Sequence, residues 1–180
     1  FLAQDDNPPL CSFKAVRHLT AANERFKVMA WLDARTELDA DGAFRYHVVG
    51  EGGSGYIRSR VLRKALEREA QARAARELER SSLTPDNYAF DDPMPGENGL
   101  VRMGIRPRRR EEMLVEGAVH MTPSEADLVR IEGRLAKNPS VWTRRVNIVR
   151  EYARVNGVRV PVEMSSTADV LVAGRSTFSM

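Results

Sequence analysis

The chain has 180 residues, 42% of them apolar and 29% charged, enough for one domain with a sizeable core and too apolar for a disordered tail. No run of 18 apolar residues occurs, 12 Gly and 9 Pro are too few for a low-complexity chain, and the single Cys11 leaves neither an internal disulfide nor a thiol cluster for zinc. The pI near 9.3 invites a nucleic-acid reading, yet the net charge is +3, residues 1–90 carry 14 Lys+Arg against 13 Asp+Glu and residues 91–180 carry 14 against 12, so neither half is a basic arm.

The chain begins at Phe1 and not at Met, so a preceding segment is expected to have been removed. A signal peptide is one form of it, although Phe1-Leu2-Ala3-Gln4 carries no cleavage pattern. Period-two alternation then predicts strands through Val28, Ala30 and Leu32 and through Phe44, Tyr46 and Val48, joined by an Asp39-Ala40-Asp41-Gly42 turn. From Tyr56 to Arg80 there is no Pro or Gly, and Leu62, Leu66, Ala70, Ala74 and Leu78, flanked by Val61 and Ala65, form one helical stripe. Ser54 is the expected N-cap, with the pairs Arg63/Glu67 and Glu69/Arg73 on the exposed face.

Past a loop at 91–99, alternation resumes at Val101, Met103 and Ile105. Val129, Ile131, Gly133 and Leu135 predict one strand face opposite Arg130, Glu132 and Arg134. Val158, Val160, Val162 and Met164 predict another, with Pro161 on the opposite side marking an edge or bulge. Trp142 to Val155 fits either a helix or a strand, and the turn signals Asn138-Pro139-Ser140 and Asn156-Gly157 that bracket it favour a long strand. The whole reads as an antiparallel meander interrupted by one helix, a single α+β domain over 1–180.

Gly50, Gly52 and Gly55 spell GxGxxG between a strand and a helix. The preceding strand alternates, and no second crossover or acidic ribose partner follows, so a glycine hinge is the better reading than a dinucleotide site. Arg106, Arg108, Arg109 and Arg110 are followed at once by Glu111 and Glu112 and have no aromatic platform, which favours a solvated strand end over nucleic acid. His18, His47 and His120 are scattered, and no nucleophile with a base, metal-ligand spacing or cofactor motif is present. An enzyme is therefore not expected.

The order of elements, with Asn87-Tyr88-Ala89-Phe90 after the helix, resembles the LolA-like superfamily of outer-membrane lipoprotein-sorting proteins. The stretch Gly117-Ala118-Val119-His120-Met121-Thr122-Pro123, followed by Asp127-Leu128-Val129-Arg130-Ile131-Glu132-Gly133, is similar to that family's strand, polar turn and strand. Leu135 to Trp142 and Gly157 to Val162 resemble the strand pairs that follow. The resemblance implies a curved antiparallel sheet, an incomplete barrel whose concave face is covered by the helix, enclosing an apolar cavity. It further implies a periplasmic location and, as partner, a lipid or lipoprotein acyl chain without a cofactor, or another envelope protein if the core is filled. Cys11 follows Pro8-Pro9-Leu10 and not a lipobox, no position matches the carrier's lid-locking arginine, and Ser176 to Met180 looks like a strand whose usual partner is missing, which points to trimming. On this reading Leu62, Leu66, Ala70, Val101, Met103, Ile105, Trp142, Val146 and Ile148 line the cavity, and Gly52-Gly53 is the hinge that opens it.

Overall fold

The computed structural model describes residues 12–75 and 77–180, without the side chains of Leu78 and Glu79. Phe1 to Gln4 and Cys11 lie outside the described residues. Three strands, β1 (Phe13–Asn23), β2 (Val28–Leu38) and β3 (Phe44–Gly53), lead into a helical run made of α1 (Gly55–Ile57), a π turn (Arg58–Leu62) and α2 (Arg63–Ala74). Short strands β4 (Tyr88–Phe90) and β5 (Met94–Pro95) precede the longer β6 (Val101–Pro107), β7 (Val115–Met121) and β8 (Leu128–Leu135). The chain closes with β9 (Thr143–Val155), β10 (Val158–Val170) and β11 (Gly174–Ser179).

All pairings are antiparallel, in the order β3-β2-β1-β11-β10-β9-β8-β7-β6-β4, with β5 also on β6. The result is one large open sheet plus a helix, an α+β architecture. The segment 142–155 is strand, and Asn156 and Gly157, at φ 52° and 81°, make the two-residue turn to β10. The C-terminal strand is not short of a partner: β11 pairs with both β1 and β10 and joins the β1–β3 part of the sheet to the rest.

Following the register across the strands, Ile105, Gly117, Gly133, Ile148, Ser166, Phe178, Ala21 and Ala30 form one row on the face that carries the helix. Two separate cores sit on this face. In the first, Leu62 and Leu66, both 0% exposed, and Ile57 pack on Leu19, Ala21, Ala30, Leu32 and Ala34. The alanines let the helix approach closely, and the π turn, whose Arg63 N–H reaches back to the Arg58 carbonyl, sets Ile57 and Leu62 five residues apart on that face. In the second, Tyr88, Ile105, Leu114, Val119, Leu128 and Ile131 gather over β4 and β6–β8.

Three details differ from the alternation read in sequence, each for a physical reason. The stripe turns after Leu66: Ala74 is exposed, while Glu69 and Arg73 are half-buried and face Arg17, with Arg17–Glu69 at 2.5 Å and Arg73–Glu69 at 3.0 Å. Arg63 pairs with Glu51 at 2.7 Å and Glu67 with Lys64, so the expected Arg63/Glu67 pair does not form. Bulges reset two strands: Leu128 takes the core place opposite Met121 in front of Val129, and a bulge between Pro161 and Glu163 puts Pro161 and Met164 on one face, with Val158 and Val160 on the other.

At the end of the sheet where β9 turns into β10, Asp127 receives Arg154 at 2.8 Å and Arg159 at 3.2 Å. Burial alone would raise its carboxyl, but the hydrogen bonds and charges of the two guanidiniums outweigh burial and hold it below the ordinary range. A depressed carboxyl contributes stability that is complete above the unfolded pKa near 4 and is lost as pH falls through the lower folded value. Asp127→Asn is therefore expected to lower stability at neutral pH and to flatten the acid limb of a melting-temperature profile. Leu66→Ala is expected to cost about 2–5 kcal/mol in denaturant unfolding, the range for a fully enclosed leucine.

Candidate functional site

Between the two cores runs β10, whose residues on the helix-bearing face, Met164, Ser166 and Ala168, belong to neither cluster. On one side of them stand Ile148 and Tyr152, which pack against the second core, and on the other Phe178 and Met180, which pack against the first. The register places Ser166 directly between Ile148 and Phe178, and Ala168 between Val146 and Ser176. Ile148 and Phe178 are then about 10 Å apart, two strand spacings. Small side chains flanked by bulky ones make a trough, and its floor and walls are half-buried.

One end of the trough is cationic. Arg150, half-buried and opposite Met164, reaches the Met164 sulfur at 3.9 Å, and Arg17 reaches the Met180 sulfur at 3.6 Å. Arg17 is committed to Glu69 and lies 5.5 Å from the centroids of both Phe13 and Phe44. Arg150 makes no ion pair among the described residues.

The residues expected to line a cavity are divided by this arrangement. Leu62 and Leu66 are enclosed in the first core, and Ala70 is half-buried further along the helix. Val101, Met103, Ile105 and Ile148 belong to the second core or its margin, Val146 is buried on β9, and Trp142 is 61% exposed and touches neither core. Sequence reasoning missed Ser166, Ala168, Phe178 and Met180. The signal for them was the alternation Met164, Ser166, Ala168 in β10 with Phe178 and Met180 in the final strand, which has meaning only once β11 is paired to β10.

Gly52 and Gly53 lie within the paired end of β3, opposite Trp31 and Ala30. A Cβ on Gly52 would sit 2.6 Å from Trp31 Nε1, and one on Gly50 would sit 3.3 Å from the same ring, so these glycines seat an indole on the far face. Gly53, at φ 80°, lets Met29 O accept the Ser54 N–H at 2.9 Å, and Ser54 Oγ in turn caps the helix at Ile57 N. The first two glycines of the GxGxxG pattern thus have a steric origin in the seating of one aromatic ring.

The arginine cluster also acts within the chain and is more than a solvated strand end. Arg108 Nε donates to the Pro85 carbonyl at 2.7 Å, Arg109 to Asn87 Oδ1 at 2.7 Å and to Glu111, and Arg106 pairs with Asp91. All three hold the connection between the helix and β6. His18, His47 and His120 lie on strands, and His120 Nε2 meets Glu132 Oε1 at 3.1 Å.

A separate groove of about 550 Å3 crosses β6–β9 over the backbone of Gly117 and Gly133. Its charged wall has Arg134 bonded to Glu116 at 2.8 Å and Glu132 to Arg130 at 2.8 Å, so much of it is neutralised internally. Comparisons with family models, with curated proteins and with solved structures found no match to this chain. Gly52→Ala is expected to push the indole off its seat, changing Trp31 fluorescence and costing about 1–3 kcal/mol of stability, as overpacking typically does.

Proposed function

We propose that this chain is a LolA-like, non-enzymatic binder or carrier of lipid or lipoprotein acyl chains in the periplasm. The observation that carries the reading is the small-residue floor of Ser166 and Ala168 between Ile148 and Phe178, on the helix-bearing face of the sheet. It is an apolar-walled trough between the two cores, whereas the groove over Gly117 and Gly133 has charged walls. The order of elements along the chain, with the helix between β3 and β4, agrees with the order on which the resemblance to that superfamily rests.

Binding in this channel needs no chemistry. Each methylene removed from water contributes about 0.8 kcal/mol, so about ten would give about 8 kcal/mol before the cost of association. Arg150, without an ion pair among the described residues and partly sheltered, would hold the carboxylate, ester or phosphate at the head of the chain by a charge-assisted hydrogen bond. The lining in this reading is Ile148, Tyr152, Met164, Phe178 and Met180 over the Ser166 and Ala168 floor. Leu62 and Leu66 support it from within the first core.

The closed packing of Leu62 and Leu66, 0% exposed, favours a second reading: a sensor or protein-interaction module of the same fold whose interior is already filled. Fluorescent fatty-acid uptake and native mass spectrometry separate the two. Ala168→Phe, which fills the channel from its floor, is expected to abolish uptake with an unchanged melting temperature, and Arg150→Ala to weaken it about tenfold, the worth of one such hydrogen bond. No bound lipid and no uptake by the unaltered protein, or uptake undiminished in Ala168→Phe, would overturn the acyl-chain reading and leave the interaction module.

A further inference from the structure

We propose that one end of the sheet is a docking edge for an anionic lipid bilayer. The turns β1–β2, β10–β11 and β8–β9 come together there, and each presents large apolar side chains to solvent: Phe26 at 58% exposure, Leu171 and Val172 at 44% and 62%, and Val141 and Trp142 at 87% and 61%. Tyr56, at the start of the helix, is 74% exposed at the same end. Scattered exposed apolar residues need no explanation, but these are gathered on adjoining tips.

Hydrogen bonds lace the tips into one rim. Arg25 Nη1 donates to the Val172 carbonyl at 2.8 Å, Asn23 Nδ2 to the Ala173 carbonyl at 2.9 Å, and Leu171 N–H to the Trp142 carbonyl at 2.9 Å. The rim spans β1, β11, β10 and β9, about 14 Å at the usual strand spacing. A rigid row of that length can meet a flat surface with all its tips at once, without the ordering cost that a flexible loop would carry.

The charge around the rim selects the kind of surface. Arg25, Lys27, Arg144, Arg145 and Arg175 are exposed on these turns and strand ends, against Glu24 and Asp169. Arg25, Lys27, Arg144 and Arg145 make no ion pair among the described residues, and Arg175 meets Glu24 at 3.6 Å. Apolar and aromatic tips set among unpaired cations match a bilayer interface with negative headgroups: indole and phenol rings settle at headgroup depth, the aliphatic tips go deeper, and each cation adds its own attraction. At the opposite end Asp127 is clamped by Arg154 and Arg159, and Asp39 pairs with Arg45.

This inference stands on the rim alone and does not rest on the acyl-chain reading. The test is sedimentation with vesicles of equimolar phosphatidylglycerol and phosphatidylcholine, against vesicles of phosphatidylcholine alone. The expected result is binding to the mixed vesicles only, falling as salt rises, and reduced about fivefold for each of Arg25→Gln and Arg144→Gln. Lipids brominated in the acyl chains are expected to quench tryptophan fluorescence in the unaltered protein and not in Trp142→Phe, which retains Trp31 on the far face of the sheet. Melting temperatures of the variants confirm that they fold. No binding to the mixed vesicles, binding indifferent to the two cations, quenching that survives Trp142→Phe, or a lipid-free dimer that Trp142→Phe dissolves would each overturn the proposal, the last by replacing the bilayer with a second copy of the chain.

Discussion

The docking of the helix on β1 and β2 is the constraint from which the rest of the arrangement follows. Leu62 and Leu66 reach the sheet over Ala21, Ala30 and Ala34, positions where any larger side chain would hold the helix away. Because the helix sits so close, it covers one end of the sheet and does not span the middle. The remaining apolar residues of the same face must then collect elsewhere, and they do so around Tyr88, Ile105 and Leu114. A sheet whose two ends are each closed by their own core leaves its middle strands, β9 to β11, with a half-buried face. Half-buried apolar surface there is a geometric consequence of close packing at the first core.

Arginine does the tethering throughout. Arg17 holds the far part of the helix through Glu69, Arg58 and Arg63 both hold Glu51 at the close of β3, and Arg108 and Arg109 hold the segment before β4. A guanidinium suits this work because its planar fork can meet two acceptors at once, as Arg109 does with Asn87 and Glu111. Twenty-four of the 28 basic residues are Arg, and many of their donors end on the protein's own carbonyls and carboxylates. The many arginines are thus in good part internal cross-links, and the pI near 9.3 reflects an excess of only three basic residues. Among the cations without an ion pair in the described residues are Arg150 on the inner face and Arg25, Lys27, Arg144 and Arg145 at the apolar rim.

How much of this was legible in the sequence depended on the range of the interaction concerned. Strand alternation at Phe44, Tyr46 and Val48, the Ser54 cap, the Leu62/Leu66 stripe and the Asn156-Gly157 turn are local patterns, and the structure contains them. The bulges were legible in part: Pro161 marked one, but its effect, reversing which valines share a face with Met164, needs the partner strand for its definition. The glycines of 50–55 were visible as a motif, while the cause of two of them, Gly50 and Gly52, is the indole of Trp31, set by pairing between β2 and β3. The least legible element was the final strand, since Phe178 acquires its place only by pairing with Ala21, 157 positions away along the chain. Nothing in a local window distinguishes a paired closing strand from one whose neighbour is missing.

The same long-range closure gives the sheet its polarity. With β11 inserted between β1 and β10, the turns at 24–27 and 171–173 become neighbours, and the turn before β9 lies beside them through Leu171 and Trp142. Those are the turns with exposed Phe, Leu, Val and Trp, whereas the turns at the other end are tied by Asp127 to Arg154 and Arg159 and by Asp39 to Arg45. Solvent-facing turns are ordinarily polar, so aromatic and aliphatic tips gathered on three adjoining turns ask for an apolar surrounding at that end. The small side chains of Ala168 and Ser176 lie in the rows nearest the apolar end, and Arg150 and Met164 nearer the other. The trough therefore runs from a cationic inner end to the apolar rim, and any chain lying in it would have its polar head at Arg150 and its tail toward the edge proposed to meet the bilayer.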